Sequence, residues 1–320
     1  MNCNILITSA GKRVELLIEF KKELKANYPN GKVYAADLNP AMAPACFMAD
    51  GYFEVPRVTD PAYIDRLLEI CGKYGIRLII PTIDTELLIL SENRGRFLSI
   101  GTEVIVSDPH FIKVCRDKRL TMQLFQKLSI KNPELRDKTA HVFPMFAKPY
   151  DGSLSSNIHV IRNQADLTQE ILADPKLIFM ELVDKNEYQE YTVDLYFDKY
   201  SHLKSIVPRL RIEVRAGEVN KARACKNYIV EFLRDRLTFL PEVRGCVCMQ
   251  LFYRACDNDI IGIEINPRFG GGYPLSYYSG ANFPGMLIKE YIHNKNIEYS
   301  DNWKDGTTML RYDSQIITNS

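Results

Sequence analysis

The stretch of residues 250–272 constrains this chain most, because it contains two apolar strand patterns joined by a short polar turn. That order of strand, turn and strand predicts a β-hairpin. Side chains alternate between the two faces of a strand, so one face of the second strand should carry its polar residues. These residues are Gly262, Glu264, Asn266 and Arg268, with Ile261, Ile263 and Ile265 on the opposite face.

The polar face of this hairpin needs a partner, because a buried charge is costly unless it is paired. Oxygen atoms of Glu264, Asn266 and Gln250 would suit Mg²⁺, and Arg268 would suit a phosphate or a developing oxyanion. The alternative is a strand whose polar side faces solvent, with Glu264 and Arg268 as a surface ion pair. Alternation by itself leaves both interpretations open.

The spacing of these residues resembles a known motif. Gln250, Glu264 fourteen positions later, Asn266 and Arg268 are similar to the metal-binding hairpin of the ATP-grasp superfamily, in particular to the version in carbamoyl-phosphate synthase large subunits, which have Gln at the first ligand position. The resemblance implies that Gln250, Glu264 and Asn266 bind two Mg²⁺ ions, or Mn²⁺ in their place, that bridge the phosphates of ATP. It also implies that Arg268 stabilises charge at the reacting acyl group.

Composition argues against several classes of protein. The 41 basic and 40 acidic residues leave a net charge of +1, so no general attraction to nucleic acid or to an anionic membrane is expected. No apolar run approaches the roughly 20 residues that span a bilayer. The eight cysteines include no C-x-x-C pair, which argues against a zinc site or a disulfide framework. We therefore expect a cytoplasmic protein that acts on small molecules, with a homodimer as one option for its assembly.

Residues 1–112 alternate between strand and helix patterns, which predicts a Rossmann-like parallel sheet covered on both faces. Strands are expected at residues 3–8, 33–37, 78–82 and 104–107, and helices at residues 13–26, 62–74 and 86–98. The loop after the first strand has one glycine, Gly11, and no G-x-G-x-x-G motif, so NAD binding is not expected. In ATP-grasp proteins, a front domain of this kind helps to bind the acceptor substrate.

Two loops of this domain have open roles. Lys12 and Arg13 open the first helix, where they are either solvated or part of an anion site. Asp84, Thr85 and Glu86 follow a predicted strand, where they either cap a helix or face a substrate cleft.

Two further domains and a tail are expected after this domain in the sequence. Residues 113–183 predict linker helices and a small α+β lid, with strands at 145–148, 159–161 and 177–183 and a helix at 164–172. Residues 184–310 predict a larger antiparallel sheet, with strands at 190–197, 205–214, 244–254 and 260–266, and helices at 228–237 and near 285–292. Residues 311–320 are polar and are expected to form a loose tail. The expected fold class is therefore α/β and α+β, and the resemblance implies the two lobes of an ATP-grasp fold.

The lid contains a loop that resembles the phosphate-binding loop of ATP-grasp proteins. Lys148 would supply a point charge, and the small residues after it would turn backbone N–H groups toward the anion. The residues implied by this similarity are Lys148, Gly152, Ser153 and Ser155. Leu154 and Asn157 stand where family members often have glycine, which bears on the mobility of the loop.

The rest of the nucleotide site is implied by the same resemblance. Lys118 would reach the phosphates from the side opposite the lid loop. A hinge formed by Glu181, Leu182 and Val183 would hold adenine through its backbone. The carboxylate of Glu190 would accept hydrogen bonds from both ribose hydroxyls.

A cluster of basic residues lies on the strand expected at 205–214 and on the strand that returns from it. Alternation places Arg209, Arg211 and Arg215 on one face. The resemblance implies that Arg215 and Lys221 hold the γ-phosphate in the transition state or an anionic substrate, whereas the roles of Arg209 and Arg211 stay open. The competing interpretation is a solvated hairpin face on which Glu213 is the counterion.

The resemblance as a whole implies an ATP-dependent ligase that activates a carboxylate as an acylphosphate for attack by an amine or a similar nucleophile. One alternative is half of a carbamoyl-phosphate-synthase-type enzyme, against which the single ATP-grasp unit argues. Another is a nucleotide-binding regulatory protein that has lost turnover, which only the missing glycines of the lid loop support. The identities of the acid and of the nucleophile stay open.

Overall fold

The computed structural model of the chain describes residues 3–152, 157–215 and 217–318 and contains three sheets. The first sheet has strands β1 (Asn4–Thr8), β2 (Val33–Asp37), β3 (Tyr52–Glu54), β4 (Ile76–Pro81) and β5 (Glu103–Val104). Its helices are α1 (Val14–Asn27), α2 (Pro44–Met48), α3 (Tyr63–Tyr74), α4 (Asp84–Glu92) and α5 (Arg94–Ser99). The strands lie in the order β3-β2-β1-β4-β5, and each neighbouring pair is parallel. The predicted parallel-sheet domain is confirmed.

Two elements of this front domain differ from the prediction. The sequence pattern does not indicate β3, because three residues at a sheet edge are too few to show alternation. The helix expected at residues 86–98 is two helices, α4 and α5, that meet at Asn93. Both the backbone N–H and the side-chain amide of Asn93 donate to the carbonyl of Ile89, which ends the first of the two helices.

The second sheet belongs to a small lid. Two linker helices, α6 (Pro109–Arg116) and α7 (Lys118–Lys127), lead into β6 (Met145–Pro149), β7 (His159–Ile161), α8 (Gln169–Ala173) and β8 (Leu177–Glu181). The lid strands form an antiparallel sheet in the order β7-β6-β8 with a small apolar core of its own. The helix expected at 164–172 is shorter, because Asn163 caps a separate 3-10 turn and Thr168 caps α8.

The third sheet forms the large lobe. Its elements are β9 (Gln189–Phe197), β10 (Leu203–Arg215), β11 (Glu218–Ala224), α9 (Tyr228–Leu237), β12 (Gly245–Arg254), β13 (Asp259–Asn266), α10 (Tyr273–Ser279), α11 (Phe283–Leu287) and β14 (Thr308–Leu310). The strands are antiparallel in the order β13-β12-β9-β10-β11-β14, which confirms the predicted antiparallel lobe. The sequence pattern does not indicate α10, which begins directly after a run of glycines. None of the helices in the described ranges has the length and apolar character that crossing a bilayer requires.

The hairpin of β12 and β13 does not follow strict alternation. Its pairing slips by one residue, so Gln250 lies opposite Glu264 whereas Leu251 lies opposite Gly262. Since Gln250 and Leu251 point to opposite faces, Gly262 and Glu264 do so as well. The expected common face for these two residues is therefore wrong. Gly262 instead faces Phe125 of α7, whose ring would be 2.9 Å from a Cβ at this position.

The front domain and the large lobe share one apolar core. Helix α1 packs against α10 and α11, with the rings of Phe20 and Phe269 in an edge-to-face arrangement at 5.8 Å. The Tyr277 hydroxyl donates to Glu23 at 2.5 Å across the same interface. This packing holds the front domain against the turn that follows β13.

A buried ion pair lies beneath that turn. Arg209 donates to both carboxylate oxygens of Asp194, at 2.7 and 2.9 Å, and the Ser276 hydroxyl donates to the same carboxylate at 2.6 Å. The side chains of Arg209 and Asp194 are at most 1% exposed. The glycine run after Phe269 packs directly on this guanidinium, because a Cβ at Gly272 would be 2.2 Å from Arg209 Nη1. Close approach therefore requires glycine at position 272.

We expect Gly272→Ala to lower the free energy of unfolding by about 1–3 kcal/mol, because the added methyl group must displace a buried guanidinium. Gly72→Ala is the control, since a Cβ at this exposed helical position would have no heavy atom within 4 Å. That change should raise stability by about 0.5–1 kcal/mol. Urea unfolding measures both effects, and equal midpoints for the two variants would contradict the close contact.

Candidate active site

A cavity of about 670 Å³ opens between the lid, the large lobe and the front domain. Its wall contains most of the residues to which the sequence assigns a role: Lys118, Lys148, Gly152, Glu181, Leu182, Val183, Glu190, Gln250, Glu264, Asn266 and Arg268. Arg215 and Lys221, both within the described ranges, do not line it. Ser153 and Ser155 lie outside the described residues.

Three oxygen-bearing side chains meet on the hairpin wall. Gln250 lies opposite Glu264 in the strand pair, and the Asn266 amide donates to Glu264 Oε1 at 3.1 Å. All three side chains are half-buried and line the cavity. One carboxylate and two carboxamides form a donor set of the kind that Mg²⁺ accepts, with phosphate oxygens or water as further ligands. The residues present therefore fit a divalent cation.

Two lysines approach this carboxylate from the lid and from the linker helices. Burial lowers the pKa of Lys148 to about 8, and Glu264 opposes the shift while Lys118 adds to it. Burial also lowers the pKa of Lys118, again against the effect of Glu264. Lys118 Nζ donates to the carbonyl of Gly152 at 2.6 Å and so holds the start of the lid loop. The ammonium groups of Lys118 and Lys148 have one carboxylate, Glu264, between them. One positive charge therefore remains for an anion to neutralise.

The hinge residues differ in what their backbones can offer. The Glu181 N–H donates to the carbonyl of Glu134 at 2.8 Å, so it is already engaged. The backbone of Val183 makes no hydrogen bond among the described residues. Of these two hinge residues, Val183 is thus the one whose backbone is available to a ligand, whereas the N–H of Glu181 is not.

The carboxylate of Glu190 is held at the cavity wall by two cations. Arg211 Nε is 3.1 Å from one of its oxygens, and Lys185 Nζ is 3.5 Å from the other. Each carboxylate oxygen has a second lone pair with which it can accept a hydrogen bond from a diol.

Strand β10 presents its basic residues differently from strict alternation. Its pairing with β11 slips between Arg211 and Glu213 and again between Glu213 and Val214. Arg211 and Val214 consequently line the cavity, whereas the Arg215 side chain is 76% exposed. Lys221 pairs with Glu213 at 2.6 Å outside the cavity. The structure thus does not bring Arg215 and Lys221 to the site where the sequence places them.

Arg209 and Arg211, whose roles the sequence leaves open, have different surroundings. Arg209 is the buried partner of Asp194 described above. Arg211 donates to the Thr192 hydroxyl at 3.3 Å. Its buried Nε, although near Glu190, has no partner at hydrogen-bond geometry among the described residues. Arg211 is therefore the residue of β10 that can meet an anion in the cavity.

The front domain fixes the last residue of the hairpin motif. Asp84 accepts a hydrogen bond from Arg268 at 3.0 Å, and both side chains are mostly buried. Glu86 is instead fully buried, where it accepts from the Thr82 N–H at 2.8 Å and from the Tyr63 hydroxyl at 2.9 Å. The two interpretations of this loop thus apply to different residues, since Glu86 caps α4 and Asp84 faces the cavity.

The two basic residues of the loop after β1 also differ in their surroundings. Lys12 is exposed, whereas Arg13 lines the cavity and donates to the Thr82 carbonyl at 3.3 Å. The Gly11 N–H donates to Asp37, so this backbone group is already engaged. An anion that enters the cavity here can meet the Arg13 side chain, whereas the Gly11 N–H is not available to it. Nothing local in the sequence separates Arg13 from its neighbour Lys12.

Two family models match the chain. The model of a PylC-like N-terminal domain matches residues 5–105, and the model of an ATP-grasp domain matches residues 115–272. The chain is therefore an ATP-grasp protein. It has a single ATP-grasp unit behind a PylC-like N-terminal domain. No curated protein sequence matches the chain.

Several solved structures share the fold of this ATP-grasp protein. The biotin carboxylase domain of Hydrogenobacter thermophilus 2-oxoglutarate carboxylase, solved as a dimer with MgADP and bicarbonate, is 13% identical with a TM-score of 0.71, over 95% of this chain and 73% of that one. The L-amino acid ligase from Bacillus licheniformis is 16% identical with a TM-score of 0.66, over 91% and 74%. N5-carboxyaminoimidazole synthetase from Staphylococcus aureus is 13% identical with a TM-score of 0.65, over 91% and 79%. Identities this low show the fold alone.

We expect Lys148 to give nucleotide binding by this ATP-grasp protein a pH dependence. Its pKa of about 8 in the free protein lies below the ordinary 10.5, and bound phosphates would favour the charged form and raise it. Affinity for MgADP should be constant below about pH 8 and fall up to about tenfold per pH unit above it, until the pKa of the complex is reached. Lys148→Arg keeps the charge and should remove the fall. Titration calorimetry from pH 6.5 to 9.5 measures this, and parallel profiles for the two proteins would contradict it.

We expect Arg211→Ala to weaken the binding of a non-hydrolysable ATP analogue with Mg²⁺ by about tenfold or more, the usual effect of losing a charged hydrogen bond. Arg215→Ala removes the same charge from the same strand but should change affinity by less than about twofold, because exposed charges are screened by solvent. Calorimetry on both variants at one ionic strength makes the comparison. A larger effect at Arg215 would restore the assignment that the family resemblance implies.

Proposed function

We propose that this chain is an ATP-dependent ligase that phosphorylates a carboxylate and transfers the acyl group to an amine or a similar nucleophile. The observation that carries the proposal is the meeting of Lys118, Lys148 and Glu264 in one cavity beneath a lid. That arrangement suits a polyphosphate with its metal ions better than it suits a neutral ligand. The ATP-grasp domain supports the same reaction class.

Gln250, Glu264 and Asn266 would hold Mg²⁺ on the hairpin wall. The chemistry that the bound metal would supply there is neutralisation of charge on the phosphates. Glu190 would accept hydrogen bonds from the ribose hydroxyls, and Val183 would meet the base edge. The nucleotide would thus extend from the hinge to the hairpin.

In the first step a carboxylate oxygen of the acid attacks the γ-phosphorus, and the bond to the bridging oxygen of ADP breaks. Lys118, Lys148 and Arg211 would neutralise the charge on the transferred group. Arg268, held by Asp84, would stabilise the acylphosphate that forms. In the second step the nucleophile attacks the acyl carbon, loses a proton and displaces phosphate.

The lid would protect the acylphosphate from water. Its loop is tied to the linker helices at two points, since the Lys118 N–H donates to the Tyr150 carbonyl at 2.9 Å and Lys118 Nζ donates to Gly152. When phosphates bind the Lys118 ammonium group, its hydrogen bond to the Gly152 carbonyl is replaced by a hydrogen bond to the ligand. The lid would then close on the nucleotide.

The proposal also covers assembly and domain limits. A homodimer is proposed by analogy with the dimer named for the Hydrogenobacter domain, and light scattering measures it. The proposed units are 1–112, 113–183, 184–310 and a tail of 311–320. The first tail residue, Arg311, donates its backbone N–H to Asn220 at 3.0 Å, so any loose part of the tail begins after it.

The test is ADP release with Mg²⁺ and pooled amino acids and carboxylates. Glu264→Gln should lower turnover by about two orders of magnitude or more, because bound metal contributes several kcal/mol to transition-state stabilisation. Glu213→Gln is the matched control, since this acid pairs with Lys221 outside the cavity, and it should keep turnover within about twofold.

Near-normal turnover in Glu264→Gln would contradict the metal assignment. Tight MgATP binding without ADP release for any acid in the pool would favour the alternative of a regulatory nucleotide-binding protein.

A further inference from the structure

Arg13 is a largely buried charged residue that the reaction outlined above does not use. It lies at the start of α1, and its guanidinium lines the cavity. Among the described residues this guanidinium makes one hydrogen bond, to the Thr82 carbonyl at 3.3 Å, and no ion pair. Burying a charged group without an acid beside it is costly. The cost points to a partner that is not part of the chain.

The contrast with Arg209 shows what this fold provides when a buried arginine is structural. Arg209 has two short hydrogen bonds to Asp194, which Ser276 supports. Arg13 has one longer bond to a neutral carbonyl. A purely structural role for Arg13 would leave most of its five N–H donors unused.

Three charged side chains converge beside Gly271. A Cβ at this glycine would be 3.0 Å from Arg13 Nη1, 3.7 Å from Arg311 Nη2 and 4.0 Å from Glu218 Cδ. Glu218 is the acid of this group, but Arg311 already pairs with it at 3.0 Å. Arg13 therefore shares its nearest acid with another arginine.

The remaining acid at this end of the cavity is also engaged, because Asp84 pairs with Arg268. Arg13 is thus the arginine of this group that has no ion pair of its own among the described residues. Burial and the nearby Arg268 lower the pKa of Arg13, as expected for a cation that lacks its own counterion. One negative charge from a ligand would give Arg13 the counterion that it lacks.

We propose that Arg13 binds the carboxylate of the acid substrate and thereby determines which acids the site accepts. The inference rests on the proposed function and adds the chemical class of the bound group, which is a planar oxyanion with a single negative charge. Such a group can accept two parallel hydrogen bonds from a guanidinium. A carboxylate and bicarbonate share this chemistry. A second anionic group at the same end would be left unbalanced.

The test measures acid binding without nucleotide, so its outcome does not depend on whether ATP binds. The probes are acetate, succinate, bicarbonate and a mixture of the twenty common L-amino acids, observed by ligand NMR for the organic acids and by calorimetry for bicarbonate. The proteins are the natural chain, Arg13→Gln, Arg13→Lys and Lys12→Gln. Lys12 is the matched control, because it is the neighbouring cation and is exposed.

We expect the natural chain and Lys12→Gln to bind at least one singly charged probe equally well. Arg13→Gln should bind it at least about tenfold more weakly, and Arg13→Lys should lie between them, because lysine keeps the charge but loses the bidentate geometry. The probe that binds, whether bicarbonate, acetate or an amino acid, identifies the source of the oxyanion. The affinity for MgADP, measured separately, should stay within about threefold in all four proteins. If none of them binds MgADP, that result counts against the proposed function but not against the role of Arg13.

Equal binding of the probe by Arg13→Gln and the natural chain would overturn the inference. So would tighter binding of succinate than of every singly charged probe, or binding of no probe at all. Thermal unfolding of Arg13→Met adds a second check, since removal of an unpaired buried charge should leave the melting temperature unchanged or raise it. A clear drop would indicate a structural role instead.

Discussion

The central constraint of this molecule is that its cavity holds more buried positive charge than its own acids neutralise. Its wall includes Arg13, Lys118, Lys148, Arg211 and Arg268 among eight cations, against the five acids Asp84, Glu181, Glu190, Glu218 and Glu264. Asp84 and Glu190 are taken up by Arg268 and Arg211, so the two lysines share Glu264, and burial lowers the pKa of each lysine. A folded chain keeps such an arrangement only where packing elsewhere enforces it. A polyanion with divalent cations relieves it, which is why we connect the cavity with phosphate chemistry.

The packing that enforces this excess of buried positive charge comes from the junction of the front domain with the large lobe. Helix α1 shares a core with α10 and α11, and the glycine turn between β13 and α10 rests on the buried Arg209–Asp194 pair. This junction sets Asp84 against Arg268 at the end of the hairpin of β12 and β13. The proposed nucleotide end of the cavity is thus formed by the ATP-grasp lobes, and the proposed acid end by loops of the PylC-like domain together with the turn after β13. Substitutions in the ATP-grasp lobes should therefore affect the nucleotide, and substitutions in the loops of the PylC-like domain should affect the acid.

The site could be predicted from the sequence only where its chemistry is local. Gln250, Glu264 and Asn266 lie on one hairpin, so their spacing could be matched to the ATP-grasp motif. Arg211 could not be told from Arg215, because the two register slips that separate them are a property of the strand pairing and not of the residue pattern. Arg13 and Asp84 could not be assigned either, because they meet the turn after β13 through contacts more than 180 residues apart. The sheets themselves were predictable, since strand and helix periodicity is also local.

The central claim is that Glu264 and its neighbours place divalent metal on phosphates between the two lysines. The most direct measurement is a crystal structure with a non-hydrolysable ATP analogue and Mn²⁺, in which anomalous scattering locates the metal. We expect Mn²⁺ peaks in direct contact with Glu264 and Asn266, with the terminal phosphates within reach of Lys118 and Lys148. Metal bound away from this hairpin, or a nucleotide that lies outside the cavity, would contradict the account.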